Sequence, residues 1–286
     1  MIRASMLVLS LLLAAGPAQS QSQPSRMKKI ASAGAVTIAH RSDATPFSFI
    51  DETKQISGFS IDLCKRVVAL IGTQIKSKAP LQIKWHPVTA QTRMEAVAKG
   101  QADMECGSTT VTLARMKDVD FSSYIFVDGT GLMTRTATGI RSSSDLGGKR
   151  IAVVGGTTNE AAVRAHLKER QISATVVPFK TRDEAFAAME TGKADVFASD
   201  RVLLIGATER AKDTKGLVIL PDDLSFEPYG IVLPRGDADL RLAVNAALAQ
   251  IYRSGEIKDI FGRWFGRLGE PTLFTKAIYI MGSIPE

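Results

Sequence analysis

Residues 105–134 read ECGSTTVTLARMKDVDFSSYIFVDGTGLMT. A strand-like lead-in ends in Gly107-Ser108-Thr109-Thr110, one arginine follows at Arg115, and a β-rich run from Phe121 to Val127 closes in Asp128-Gly129-Thr130-Gly131. Hydroxyls at 108 and 110 and the Arg115 guanidinium can converge where a strand hands over to a helix, and backbone N–H groups at a helix start point the same way. Arginine forms a two-pronged pair with a carboxylate. The segment therefore predicts a pocket for the head group of a small anion, with no nucleophile–base pair beside it.

Outward from this stretch the chain alternates strands and helices. Ala35–His40 is strand-like. Ile61, Cys64, Val67, Val68 and Ile71 recur at helical spacing, which predicts a helix over 61–75 with one buried face. A strand is predicted at 81–85, a helix at 92–99 stopped by Gly100, and a strand at 102–106. Such βαβ alternation predicts a largely parallel sheet covered by helices on both sides. A faint echo follows: Gly100-Gln101-Ala102-Asp103 recurs as Gly192-Lys193-Ala194-Asp195, each after strand, proline and helix. Either two lobes share one plan, or two βαβ units look alike. Gly155-Gly156-Thr157-Thr158-Asn159-Glu160 opens another helix, with capping-box spacing between Thr157 and Glu160, and lacks both the dinucleotide fingerprint and the phosphate-binding Gly-Lys-Ser/Thr. Helices are expected at 242–251 and 257–265. The stretch from 271 to 286 shows no usable periodicity.

Composition bounds the rest. Arg3, an apolar core from Met6 to Ala15 and Ala18-Gln19-Ser20 make residues 1–20 a cleavable secretory leader, which predicts a periplasmic protein. No later run reaches membrane-spanning length, so the mature chain of about 266 residues is expected to be soluble and large enough for two domains. The chain's net charge of +7 falls to +6 once Arg3 leaves with the leader. It is spread without the basic runs of a nucleic-acid binder and suits attraction of small anions. The two cysteines, Cys64 and Cys106, form either a disulfide or two buried thiols. Three histidines at no ligand spacing predict no metal site, and no cofactor is expected.

The ordered set His40-Arg41 with Pro46-Phe47-Ser48, Gly58-Phe59-Ser60-Ile61-Asp62, Glu105 to Thr110 with Arg115, Phe121-Ser122 through Gly129-Thr130, Gly156-Thr157-Thr158 with Glu160, Ser199-Asp200 and Tyr229-Gly230 resembles the family 3 periplasmic solute-binding proteins of amino-acid ABC transporters. Ser60, where that family usually carries an acid, is a departure shared with its glutamate/aspartate-binding branch. The resemblance implies a two-lobed α/β fold of the type II class, two hinge strands and a ligand cleft between the lobes. It implies lobe 1 at 28–128 and 229–270, lobe 2 at 129–228, a tail at 271–286, and hinge crossings at 126–131 and 228–231.

It also implies roles. Arg115 would clamp an α-carboxylate, with Ser108 and Thr110 on the first wall and Thr157 and Thr158 on the second. Asp200 would take the α-ammonium. Arg41 and Arg93 would meet the distal carboxylate of an acidic amino acid, and Phe47 would stack on its aliphatic part. A serine and a histidine that help bind the distal group in that branch are replaced here by Ala90 and by the stretch Lys180-Thr181-Arg182-Asp183, where Arg182 or Thr181 could substitute. An isolated arginine is ordinarily a solvated surface group. Three in one cleft beside one acid suit a ligand with two carboxylates and one ammonium. The implied partners are that ligand and a membrane permease, with the protein a monomer. Two rival classes remain: a periplasmic enzyme like cyclohexadienyl dehydratase, which needs a general acid in the cleft and is separable by prephenate turnover, and an amino-acid sensor.

Overall fold

The repeated Gly-x-Ala-Asp becomes the same device in two places. In a computed structural model that describes residues 25–209 and 214–285, Asp103 accepts a hydrogen bond from the Thr37 N–H at 2.7 Å, while its own N–H donates to the Thr37 carbonyl at 2.8 Å. Asp195 does the same with the N–H and carbonyl of Arg150, both at 2.8 Å. Each aspartate also pairs with an arginine, Arg26 or Arg150, and each repeat opens on a glycine at φ +75°. One clamp thus ties the return from a helix to the neighbouring parallel strand, once per sheet. The leader expected at residues 1–20 lies outside the described residues.

The chain begins with α1 (Arg26–Ala33) and β1 (Ala35–His40), forms a small antiparallel ribbon of β2 (Asp43–Ala44), β3 (Ser48–Ile50) and β4 (Ile56–Ser57), and continues through α2 (Phe59–Gln74), β5 (Gln82–Pro87), α3 (Arg93–Ala98), β6 (Met104–Glu105) and β7 (Val119–Asp128). It then builds a second sheet from β8 (Thr130–Arg135), β9 (Arg150–Val154), α4 (Thr158–Glu169), β10 (Thr175–Phe179), α5 (Arg182–Glu190), β11 (Val196–Asp200), α6 (Arg201–Thr208) and β12 (Leu217–Ile219). It returns as β13 (Glu227–Pro234) and finishes with α7 (Ala238–Ser254), α8 (Glu256–Phe265) and α9 (Leu273–Gly282). The strand orders are β5-β1-β6-β13-β7 and β10-β9-β11-β8-β12. In each, four strands run in one direction and a single strand, β13 in the first sheet and β8 in the second, runs against them. The alternation read from sequence is therefore a pair of mixed sheets with the architecture of a type II binding protein.

Residues 228–231 lie inside the first sheet, with Pro228 opposite Val127 and Tyr229 opposite Phe126. The return crossing thus comes earlier than expected, ahead of Glu227, which faces Asp128 as the last pair. Phe47, Phe59, Phe126, Tyr229 and Phe265 form the aromatic heart of the first lobe, with ring centroids 4.9–6.1 Å apart around Phe47. Phe47 is fully buried among them, so the ring expected against the ligand's aliphatic part is instead a core residue. Gly58, at φ +133°, lets α2 begin hard against this cluster, because a Cβ there would lie 2.2 Å from the Phe47 carbonyl oxygen.

The tail is a helix after all. Thr272 caps it by accepting from the Thr275 N–H. Thr275, Tyr279 and Gly282 face inward, and Leu273, Phe274, Ile280 and Met281 are exposed. Apolar residues on both faces erase the periodicity that would have revealed it.

Cys64 and Cys106 are joined, with Cα atoms 6.4 Å apart, pinning α2 to the loop that starts at Gly107. The bridge closes a loop of sequence separation 42. Removing it with Cys64→Ala and Cys106→Ala should lower unfolding free energy by about 2–4 kcal/mol, chiefly through the freed unfolded chain. Urea denaturation of the double variant against the oxidised parent checks this.

Candidate functional site

Four guanidiniums come together between the sheets. Arg41 follows β1, Arg93 opens α3, Arg115 lies in a 3₁₀ turn after the Ser-Thr-Thr loop, and Arg182 opens α5. None is more than 8% exposed. Arg41 Nη2 donates to Asp43 at 2.5 Å, Arg93 Nη1 to the Ser108 carbonyl at 3.1 Å, and Arg115 Nη1 to the Thr110 carbonyl at 2.7 Å. Nε and Nη1 of Arg41, Nε of Arg93, and Nε and Nη1 of Arg182 are buried without a hydrogen-bond partner, as is the Ser108 hydroxyl. Burial, then the charge of Arg182, pushes Arg41 down to about 9; burial, then Arg115, pushes Arg93 down to about 10. Both stay cationic at neutral pH.

The Ser-Thr-Thr loop is stitched to the returning strand. Gly230 donates to the Thr109 carbonyl at 3.1 Å and Val111 to the Pro228 carbonyl at 2.8 Å. Thr109 Oγ1 donates to Glu105 at 2.7 Å. Glu105 packs directly under the loop, where a Cβ on Gly107 would meet its Oε1 at 2.3 Å. Burial pushes the Glu105 carboxyl up, against the pull of Arg93.

Glu227 gathers the opposite wall. Its Oε2 accepts from Thr110 Oγ1 at 2.5 Å and from Thr158 Oγ1 at 2.7 Å, and its Oε1 lies 2.5 Å from Ser225 Oγ and 3.3 Å from Thr130 Oγ1. Thr110 and Thr158, from opposite lobes, are 3.3 Å apart. Asn159 donates to Thr130 Oγ1 at 2.8 Å and to Asp200 Oδ1 at 3.1 Å. Asp200, at the end of β11 and 3% exposed, is pushed up to about 6 by burial and then by the neighbouring Glu227 charge. Thr157 donates to the Val154 carbonyl and accepts from the Glu160 N–H. Its hydroxyl is spent on starting α4.

Further contacts cross the cleft. Gln91 Nε2 donates to the Gly155 carbonyl at 2.8 Å, and the Arg182 N–H donates to Asp43 Oδ2 at 3.2 Å. Gly206 on α6 sits where a Cβ would be 2.3 Å from the Thr45 carbonyl oxygen. Arg41, Arg93, Ser108, Thr110, Arg115, Thr158, Arg182 and Asp200 therefore share one buried region, while Phe47 and the Thr157 hydroxyl turn elsewhere. Sequence reasoning missed Asp43, Asn159 and Glu227. Asp43 lies two residues from Arg41 and Glu227 directly before the predicted crossing, so a search for acids beside the arginines and hinges would have found both.

Residues 36–267 match the model of the bacterial extracellular solute-binding proteins, family 3. The L-glutamate/L-aspartate-binding protein of Pseudomonas aeruginosa is 34% identical over 254 residues, covering 88% of this chain and 84% of that protein. The glutamate/aspartate import solute-binding protein of Escherichia coli is 32% identical over 262 residues, covering 90% and 86%. Among solved structures, the ancestral amino acid-binding protein AncCDT-1, a precursor of cyclohexadienyl dehydratase, superposes with a TM-score of 0.73 at 28% identity, covering 84% of this chain and all of that one. The match over most of its length makes this chain a member of the family 3 bacterial extracellular solute-binding proteins.

Proposed function

We propose that this protein binds an acidic amino acid, L-glutamate or L-aspartate, between its lobes and hands it to the permease of an ABC transporter. In this reading residues 1–20 direct it to the periplasm and are removed, and it works as a monomer. Lobe 1, residues 28–128 with 229–270, and lobe 2, residues 129–228, are the two jaws. The observation that carries the reading is the set of unpartnered guanidinium nitrogens on Arg41, Arg93 and Arg182. A buried donor left without an acceptor costs about 1–3 kcal/mol, more when charged. An anionic ligand supplies the missing acceptors, whereas a neutral side chain leaves the cost in place. The glutamate/aspartate-binding roles of the Pseudomonas aeruginosa and Escherichia coli relatives support the same ligand class.

The division of labour follows from donors and acceptors. A threonine hydroxyl has one proton. Thr110 and Thr158 both give theirs to Glu227, so toward a ligand they offer lone pairs. They suit the α-ammonium, together with the Asp200 carboxylate. The α-carboxylate falls to Arg115, the Ser108 hydroxyl and the N–H groups at the start of α4. The distal carboxylate falls to Arg41, Arg93 and Arg182.

A catalytic reading needs a general acid besides Asp200, which the ammonium occupies, and Glu105 is a buried carboxyl held toward its neutral form. Its position under the loop, bonded to Thr109, favours a structural duty.

A calorimetric panel of the twenty amino acids should give one-to-one binding of aspartate and glutamate, at least about a hundredfold tighter than lysine or glutamine. Arg115→Ala should abolish binding of every one. Equal affinity for glutamine would remove the acidic-ligand assignment.

Closure requires the close approach of α6 to Thr45. Gly206→Ala should weaken ligand binding about tenfold or more while leaving far-UV circular dichroism unchanged. Calorimetry with the same ligands reads it.

Ligand ammonium needs ionised Asp200. Because that group titrates near pH 6 in the free protein, affinity should fall about tenfold between pH 7.5 and pH 5, with net proton release on binding near pH 6. The free protein responds with the opposite sign. Its raised Asp200 binds more protons than the unfolded chain between the ordinary 3.8 and about 6, so this group's contribution to stability declines as pH rises through that window. Calorimetry in buffers of different ionisation enthalpy, paired with urea titrations, measures both.

A further inference from the structure

Arg182 opens α5 and is buried between the two sheets beside two carboxylates. Its guanidinium has a carboxylate on each side, neither at hydrogen-bond distance: Nη1 is 3.9 Å from Asp43 Oδ1 and Nη2 is 3.8 Å from Asp200 Oδ2. Nε and Nη1 have no partner, and the residue is 4% exposed. Its own N–H is fixed to Asp43, and Asp43 is fixed to Arg41. Arg182 therefore has within 3.9 Å both the carboxylate that holds the distal cation Arg41 and the ammonium anchor Asp200.

We propose that Arg182 sets the length of the pocket and makes this protein prefer L-aspartate to L-glutamate. The inference rests on the acidic-amino-acid reading above. An ammonium arriving at Asp200 comes close to a second cation, Arg182. Two cations then share one carboxylate unless the ligand brings its own negative charge to the same place. A carboxylate one methylene from Cα does so, meeting the unpartnered edge of Arg182 while the ammonium stays on Asp200. A second methylene carries the carboxylate beyond that edge. Arg182 must then move away from both Asp43 and Asp200, breaking a buried charge arrangement, or the ligand must bind folded back on itself.

A rival explanation of the same contacts is a latch: Arg182 joins lobe 2 to Asp43 of lobe 1 and holds the cleft closed without sensing ligand length. The two differ in what they do to the ratio of affinities. Isothermal titration of the mature protein with L-aspartate and L-glutamate should give aspartate about tenfold tighter or more, within the range one methylene commands in a closed pocket. Arg182→Gln and Arg182→His should weaken aspartate more than glutamate and bring the ratio to about 1 or below, with thermal midpoints reporting that both variants are folded. Glutamate binding as tightly as aspartate to the parent protein would overturn the inference, and so would variants that lose affinity for both acids equally, as a latch would. If the parent protein bound neither acid, the acidic-amino-acid reading itself would fall. Glutamate preference would remove only the length argument.

Discussion

The Glu227 carboxylate is the junction on which the rest of the molecule depends. It receives Thr110 from the first lobe and Thr158 from the second, and adjoins Thr130 on the outgoing crossing and Ser225 on the return. Both chain crossings between the two sheets thus pass within a hydrogen bond of one buried anion. A carboxylate that accepts several hydroxyls at once is well compensated for losing water. That compensation allows an acid to sit fully inside a hinge without tearing it open. It also fixes which way the threonine protons point, and so decides that the cleft presents oxygen lone pairs on this wall.

Around that junction the pocket manages an unusual density of charge. Arg41, Arg93, Arg115 and Arg182 face Asp43, Glu105, Asp200 and Glu227, all in the buried region between the sheets. Removing ions from water costs several kcal/mol each unless geometry repays it. Here repayment is incomplete, because the guanidiniums keep donors without acceptors while Asp200 is held toward its protonated form. Asp128, at the crossing itself, is pushed up to about 8 by burial and then by Asp200, although it accepts from the Gly129 and Val202 N–H groups. The strain falls on the hinge and the cleft, while the sheet faces beyond them carry ordinary apolar cores.

What the sequence could reveal follows the range of the interactions. The βαβ units were legible because their apolar spacing is local. Arg115 stood out because it follows Gly-Ser-Thr-Thr within five residues. Glu227 was not legible: its partner Thr110 is 117 positions away, and the stretch around it has no period. Asp43 was not legible either, since nothing local says that Arg182, 139 positions on, donates to it. The resemblance alone points Phe47 toward the ligand, yet four rings from distant elements enclose it. The disulfide was undecidable from spacing, because only the packing of α2 against the end of β6 brings the sulfurs together.

The order of strands has a consequence for how the chain assembles. All five strands of the second sheet come from one contiguous run, 130–219, so that sheet needs nothing from outside it. In the first sheet β13 is inserted between β6 and β7, and among the described residues β7 pairs with no other strand. Its ten residues, with Phe121, Ile125 and Phe126 bound for the core, must wait through an entire lobe of intervening chain before their partner exists. Until then the first lobe holds an unpaired strand edge and an apolar face, the kind of surface that recruits chaperones or aggregates. The later lobe in sequence is thus the earlier to be complete, and the residue that ends the wait is Glu227, the first of the returning strand.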